Sequence, residues 1–130
     1  MADHPNATLF RRGYTAFQNG DLDAVRTLFA PDIVWHVPGK SHLAGDHAGV
    51  DNVIGLFMRQ FEETGGNFKI EVHDILANDE HAVALGTVIA SKGGKSLRDN
   101  YTHVAHFKGD QLVESWIFGE NQGEVDAFWG

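Results

Sequence analysis

Two strand-like phrases hold the residues most able to move a proton. In DIVWHVPGK, Asp32–Lys40, the histidine His36 stands beside Trp35 in a run that stops at Pro38-Gly39. An imidazole with an ordinary pKa of about 6.5 can take a proton at neutral pH. His36 is therefore either a tolerated sheet residue or the working group of a pocket. In the second phrase, RDNYTHVAHF, alternate residues share a face because successive side chains of a strand point to opposite sides. Asp99, Tyr101, His103, Ala105 and Phe107 fall on one face, and Asn100, Thr102, Val104 and His106 on the other. The first set aligns a carboxylate, a phenol and an imidazole.

Composition limits what such groups can serve. The chain has 130 residues, 42% hydrophobic and 22% charged, which suits one soluble domain spanning 1–130. No cysteine is present, so disulfides, thiolate nucleophiles and cysteine-ligated metals are excluded. A formal charge of −8 repels phosphate backbones and anionic membranes, so neither nucleic acid nor a membrane is expected as a partner. The start carries no basic segment followed by an apolar one, and a cytoplasmic location is the expectation. Eight histidines are the unusual feature. His36, His42 and His47 lack helical i, i+4 spacing, and His103 and His106 point to opposite faces, so no metal site is expected. His42 and His47 fall in a loop, and His73 and His81 near turns at the surface. No phosphate-binding loop occurs, and no cofactor is expected.

The positioning elements read as an α+β plan. Leu9, Phe10, Gly13, Tyr14 and Phe17 form one helical stripe ended by Asn19-Gly20. Asp21 is placed to cap a second helix that buries Leu22, Val25, Leu28 and Phe29 and stops at Pro31. After the strand DIVWHV comes a loop, KSHLAGDHAG. A third helix follows from about Val50 to Thr64, with Val53, Ile54, Phe57 and Phe61 on one face, and Gly65-Gly66 ends it. Four long strands joined by NDE, KGG and GD complete a meander. Helices on one face of a bent sheet leave a hollow.

The phrases NGDLDAVRTLF, IVWHVPG, LAGDHAGVDNVIGLF and GDQLVESWIFGE, in this order over essentially the whole chain, resemble the SnoaL-like branch of the nuclear transport factor 2-like superfamily. That branch is related to ketosteroid isomerases and polyketide cyclases. The resemblance implies a cone-shaped barrel, cystatin-like in plan, with three N-terminal helices packed on a strongly curved, mainly antiparallel sheet. It also implies a small apolar ligand in the open end, and a homodimer. Such a scaffold hosts enzymes and plain binding modules alike, so function must come from the site.

Overlaid on the isomerases, His36 falls at their carboxylate general base and His103 at their protonated hydrogen-bond donor. The resemblance also turns the Asp99, Tyr101, His103 face inward. The implied catalytic set is thus His36 as base, with His103 steadying an oxyanion alongside Tyr101 or Asp99. Phe17, Phe57, Trp116 and Phe118 are the implied apolar walls. Tyr14 is a further lining candidate, although the isomerase tyrosine matches Gly13, so Tyr14 is rotated about 100° around its helix. Trp35 and Ile33 have the parity opposite to His36. Trp35 is accordingly expected on the outer side of the sheet, where it or Ile117 would cover a dimer face. Glu120 is a candidate acid by analogy with the cyclases. Arg98 and Asp99 are adjacent and diverge, which argues against epoxide hydrolysis. The departures at Gly13, His36 and His103 argue against steroid isomerisation. A cofactor-independent isomerase or cyclase acting on an apolar carbonyl compound remains, with a non-catalytic ligand-binding or dimerisation module as the alternative.

Overall fold

Capping and glycine breaks divide the first half of the chain. In the computed structural model, which describes residues 3–130, helix α1 (Pro5–Gln18) begins with proline in its first turn, where no amide is needed. The Asp21 side chain accepts from the Ala24 amide at 3.1 Å and starts α2 (Leu22–Leu28). The chain then passes directly into β1 (Phe29–Val37), so Pro31 lies inside a strand instead of closing a helix. The expected loop holds a short strand, β2 (Gly45–Ala48), antiparallel to β1. Helix α3 (Val50–Glu63) follows. The meander is β3 (Phe68–Ala77), β4 (His81–Lys92), β5 (Lys95–Lys108) and β6 (Gln111–Gly119). A fourth helix, α4 (Gln122–Trp129), was not expected; the Asn121 side chain caps it through the Glu124 amide.

The six strands lie in the order β2-β1-β6-β5-β4-β3, with β1 and β6 parallel and the other neighbours antiparallel. This is an α+β fold as expected, but the sheet keeps two free edges, β2 and β3, and does not close into a barrel. Bulges at Val72/Asp74 and His106/Phe107 bend it, because an extra residue on one strand increases local twist. The helices fill the concave side. Phe10 and Phe17 from α1 and Val53 and Phe57 from α3 are buried there with Ile33 and Trp35 of β1. Ala82, Ala84 and Ala105, all fully buried, keep the sheet thin beneath them.

Helix α4 lies across the open end, and its last carbonyls meet cations. Lys92 Nζ donates to the Trp129 carbonyl at 2.8 Å and to Glu63 at 3.1 Å, and Lys95 Nζ donates to the Ala127 carbonyl at 3.2 Å. Positive charge at a helix C-terminus is favourable. Among the described residues no helix is long and apolar enough to cross a membrane.

Candidate functional site

Strand register decides what the hollow contains. On β5, Asp99, Tyr101 and His103 face inward and are 4%, 7% and 2% exposed. They pair across β6 with an inward set, since Tyr101 opposes Gly119, His103 opposes Ile117 and Ala105 opposes Ser115. Ser115 in turn lies beside Trp35 of β1. The inward parity of β1 is therefore Ile33, Trp35 and Val37, and that of β6 is Ser115, Ile117 and Gly119.

These residues line a cavity of about 150 Å³. Its walls are mainly aromatic and aliphatic, with Phe17, Phe57, Trp35 and Trp129 among them. Pro38, Ser41, Gln60, Gln122 and Val125 keep partial exposure and rim the opening, so α4 and the loop after β1 form the mouth. Among the described residues Asp99 is the single acidic side chain in the lining, and no lysine or arginine joins it.

The polar groups form one connected cluster. His103 Nδ1 lies 2.8 Å from the Tyr14 hydroxyl, and Nε2 lies 2.9 Å from Ser115 Oγ. The Phe10 and Trp35 rings sit 4.7 Å from the imidazole on centroids. Burial in this surrounding lowers the His103 pKa to about 3, so the ring is neutral across the physiological range. Burial likewise raises Tyr14, with the neighbouring Tyr101 adding to the effect. Tyr101 is pushed up to about 12 by burial, and the nearby Tyr14 hydroxyl pulls the other way. The Tyr101 hydroxyl is buried and makes no hydrogen bond of ordinary geometry. Gly86 makes room for it, since a Cβ there would meet the Tyr101 hydroxyl at 2.8 Å and the Glu71 carbonyl at 2.7 Å. Asp99 Oδ1 accepts from the Asn121 amide at 2.9 Å, which ties the cavity carboxylate to the cap of α4.

Several expectations need correction. His36 is outside the cavity, on the convex face, where Nδ1 meets Asp46 and Nε2 meets Glu114, both at 2.6 Å. Its ring stacks on Trp116 at 5.2 Å. The Glu114 hydrogen bond, aided by Asp46, raises its pKa despite some desolvation. His36 is thus an imidazolium clasp between β1, β2 and β6, and it cannot reach a ligand in the hollow. Trp116 shares its face and contacts His106, while Phe118 is 52% exposed. Neither lines the cavity. Trp35 and Ile117, assigned to the outer face, point inward. The cause is parity: β1 and β6 run parallel in register, so turning Trp35 in turns His36 and Trp116 out.

Other singled-out positions divide between the cavity and the surface. Asp99, Tyr101, His103, Phe17 and Phe57 come together in the cavity, and Tyr14 joins them by bonding to His103. Glu120 is exposed and accepts from Asn100 Nδ2 at 3.0 Å. His42 and His47 stand outside the lining, with His42 Nε2 2.8 Å from Glu63 and His47 Nε2 2.9 Å from the Leu43 carbonyl. Among the described residues no group of three or more potential ligands is placed to hold a metal ion. Ser115 escaped the sequence reading. Its signal was the alternation Ser115, Ile117, Gly119, which the bulkier parity of Trp116 and Phe118 obscured.

Comparison with known proteins agrees with this architecture. The chain is 32% identical to uncharacterized protein Rv0034 of Mycobacterium tuberculosis (strain ATCC 25618 / H37Rv) over 130 residues, 99% of each chain. The structure of Bal32a, from a soil-derived mobile gene cassette, superposes with a TM-score of 0.94 at 34% identity and covers 97% of both chains. TerC, co-crystallised with polyporic acid, shares the fold with a TM-score of 0.84 at 16% identity, covering 96% of this chain and 98% of its own. Residues 10–115 match the SnoaL-like domain, and the chain belongs to that family.

Proposed function

We propose that the cavity binds a small, neutral, largely apolar compound carrying a carbonyl oxygen, and that the chain removes a proton from the carbon beside that oxygen. Asp99 is the base in this reading, because it is the only carboxylate in the lining. Tyr101 and Tyr14 donate to the oxygen on which negative charge develops. The buried His103 stays neutral, is a weak base at a pKa of about 3, and orients Tyr14. Successive inward residues of a strand are about 7 Å apart, which allows Asp99 and Tyr101 to address neighbouring atoms of one ligand. The reaction class is that of a cofactor-independent isomerase or cyclase.

The observation that carries this reading is the unpartnered Tyr101 hydroxyl. A buried hydroxyl without a partner costs about 1–3 kcal/mol, and a ligand oxygen removes that cost. Size narrows the ligand further. The cavity of about 150 Å³ resembles engineered apolar cavities that hold benzene, so a single substituted ring fits better than a fused polycycle. That TerC was co-crystallised with polyporic acid supports an organic occupant for a cavity of this fold. A second copy of the chain is proposed to cover the convex face, where Phe118 and Leu85 stand exposed on either side of Thr102.

The test is exchange of α-protons. Acetophenone and related small ketones in deuterated buffer should lose their α-proton signals faster with the protein present. Asp99→Asn should reduce this by about 10²–10⁴-fold. An Asp99→Asn protein as active as the wild type would sink the assignment. Saturable ketone binding without exchange would leave a binding module instead.

A further inference from the structure

We infer that Ser115 is a positioning residue: its hydroxyl donates to His103 Nε2, holds the imidazole as its Nδ1–H tautomer, and so turns the Tyr14 hydroxyl proton into the cavity. This extends the carbonyl-site reading above, but it can be measured without any ligand.

Donors and acceptors along one chain of side chains have to match. Ser115 Oγ, His103 Nε2, His103 Nδ1 and the Tyr14 hydroxyl are joined by contacts of 2.9 and 2.8 Å. A neutral imidazole has one N–H and one bare nitrogen, so only two arrangements satisfy both contacts. In the first, Ser115 donates to Nε2, Nδ1–H donates to the Tyr14 oxygen, and the Tyr14 proton is left over. In the second, Tyr14 donates to Nδ1, Nε2–H donates to Ser115, and the Ser115 proton is left over. Each leaves one hydroxyl proton without an acceptor.

The two leftovers differ in their surroundings. Ser115 is 0% exposed within the sheet, and its Oγ has no other partner among the described residues. An undonated proton there carries the full desolvation penalty. Tyr14 lines the cavity beside Tyr101, where the Tyr101 oxygen, a ligand oxygen or a water can accept. The first arrangement therefore wins by about one buried hydrogen bond. No carboxylate touches His103 to hold it in the charged form, and burial keeps it neutral. As a consequence Tyr14 and Tyr101 offer two hydroxyl protons to one oxygen, and a hydrogen-bond acceptor is what the site selects.

Removal of the Ser115 hydroxyl should reverse the chain. With Nε2 unsupported, the more acidic phenol donates to the more basic Nδ1, and the Tyr14 proton withdraws from the cavity. The test is long-range proton–nitrogen correlation on protein labelled with ¹⁵N at histidine, with the His103 signals assigned by their loss in His103→Gln. The empty wild type is expected to show a protonated Nδ1 and a bare Nε2. Ser115→Ala is expected to move the population toward Nε2–H and to weaken acetophenone binding about fivefold, the loss of one hydrogen bond. Tyr14→Phe should weaken it equally, and the double variant no further. A protonated Nε2 in the wild type, or a tautomer unmoved by Ser115→Ala, would overturn the inference. Failure of the wild type to bind acetophenone, with the tautomer as expected, would count against the carbonyl site and not against the role of Ser115.

Discussion

Acid should destabilise this protein through His103. The ring is buried and holds its folded pKa at about 3, while an unfolded histidine titrates near 6.5. The unfolded chain therefore binds this proton first, and stability rises with pH across the window. The contribution is fully present above about pH 6.5 and is lost as pH falls toward about 3. Well inside the window the slope is about 1.4 kcal/mol per pH unit, and between about pH 7.5 and pH 5 the loss comes to about 2 kcal/mol. His36 and His42 act in the opposite sense. Their folded pKa values are raised, chiefly by Glu114 and by Glu63, so their contributions are full below about 6.5 and lost as pH rises through the raised values. They weight the alkaline side and cannot imitate the acid loss. Urea denaturation of the wild type and His103→Gln at several pH values separates these terms. The glutamine does not titrate, and the difference between the two proteins cancels every other group. The wild-type midpoint should fall by about 1 M more than that of the variant between pH 7.5 and 5. Parallel midpoints over that range would refute the burial argument, whatever the absolute stabilities.

Further outcomes follow from the same geometry. Tyr101→Phe should leave the folded protein as stable as the wild type or up to about 1 kcal/mol more so by thermal denaturation, because it deletes an unpartnered hydroxyl, while ketone binding weakens by about one hydrogen bond, roughly fivefold. Gly86→Ala should destabilise by about 1–3 kcal/mol in the same assay, since its Cβ would lie 2.7 Å from both the Glu71 carbonyl and the Tyr101 ring, and the carbonyl belongs to the backbone. His36→Ala should leave α-proton exchange unchanged and lower stability most below about pH 6.5, where the clasp to Glu114 and Asp46 is charged; exchange lost together with an intact fold would restore His36 as the base. Phe118→Asp should convert a dimer to a monomer in light scattering at fixed protein concentration if the convex face is the contact.

The fold was legible where periodicity had a single meaning. The helical stripes of α1 and α3 and the four strands β3 to β6 carry their spacing openly, and Asp21 is a cap in sequence and in structure. Two elements were hidden for physical reasons. β2 is four residues long and pairs only along one edge, so it has no buried face to write into the sequence. α4 ends a chain of strands with VDAFW, whose apolar residues suit a strand as well as a short helix. The site was half legible. β5 alternates cleanly because its outer face is polar at Asn100 and Thr102, so Asp99, Tyr101 and His103 could be grouped without coordinates. On β1 and β6 both faces carry aromatic residues, and alternation loses its contrast. A resemblance then chose the face, and it chose the one with His36.

That choice failed in an instructive way. His36 and Trp35 compete for the same inward position, and the cavity is apolar on the side that β1 supplies. An imidazole there would join His103 among phenyl and indole rings with no carboxylate but Asp99 for company. Turned outward, the same ring meets two carboxylates at 2.6 Å and a flat indole, which favours its charged form. Of these two histidines, His103 has no counter-charge and is buried neutral, whereas His36 has two and is placed against solvent, where its charged form is favoured. In the proposed reading, acid–base work in the hollow falls to Asp99, the carboxylate of the lining. Because Asp99 also accepts the amide of Asn121, any ligand that draws its carboxylate inward pulls on the cap of α4, the helix at the cavity mouth. The carboxylate proposed to meet the ligand and the cap of the mouth helix thus share one side chain.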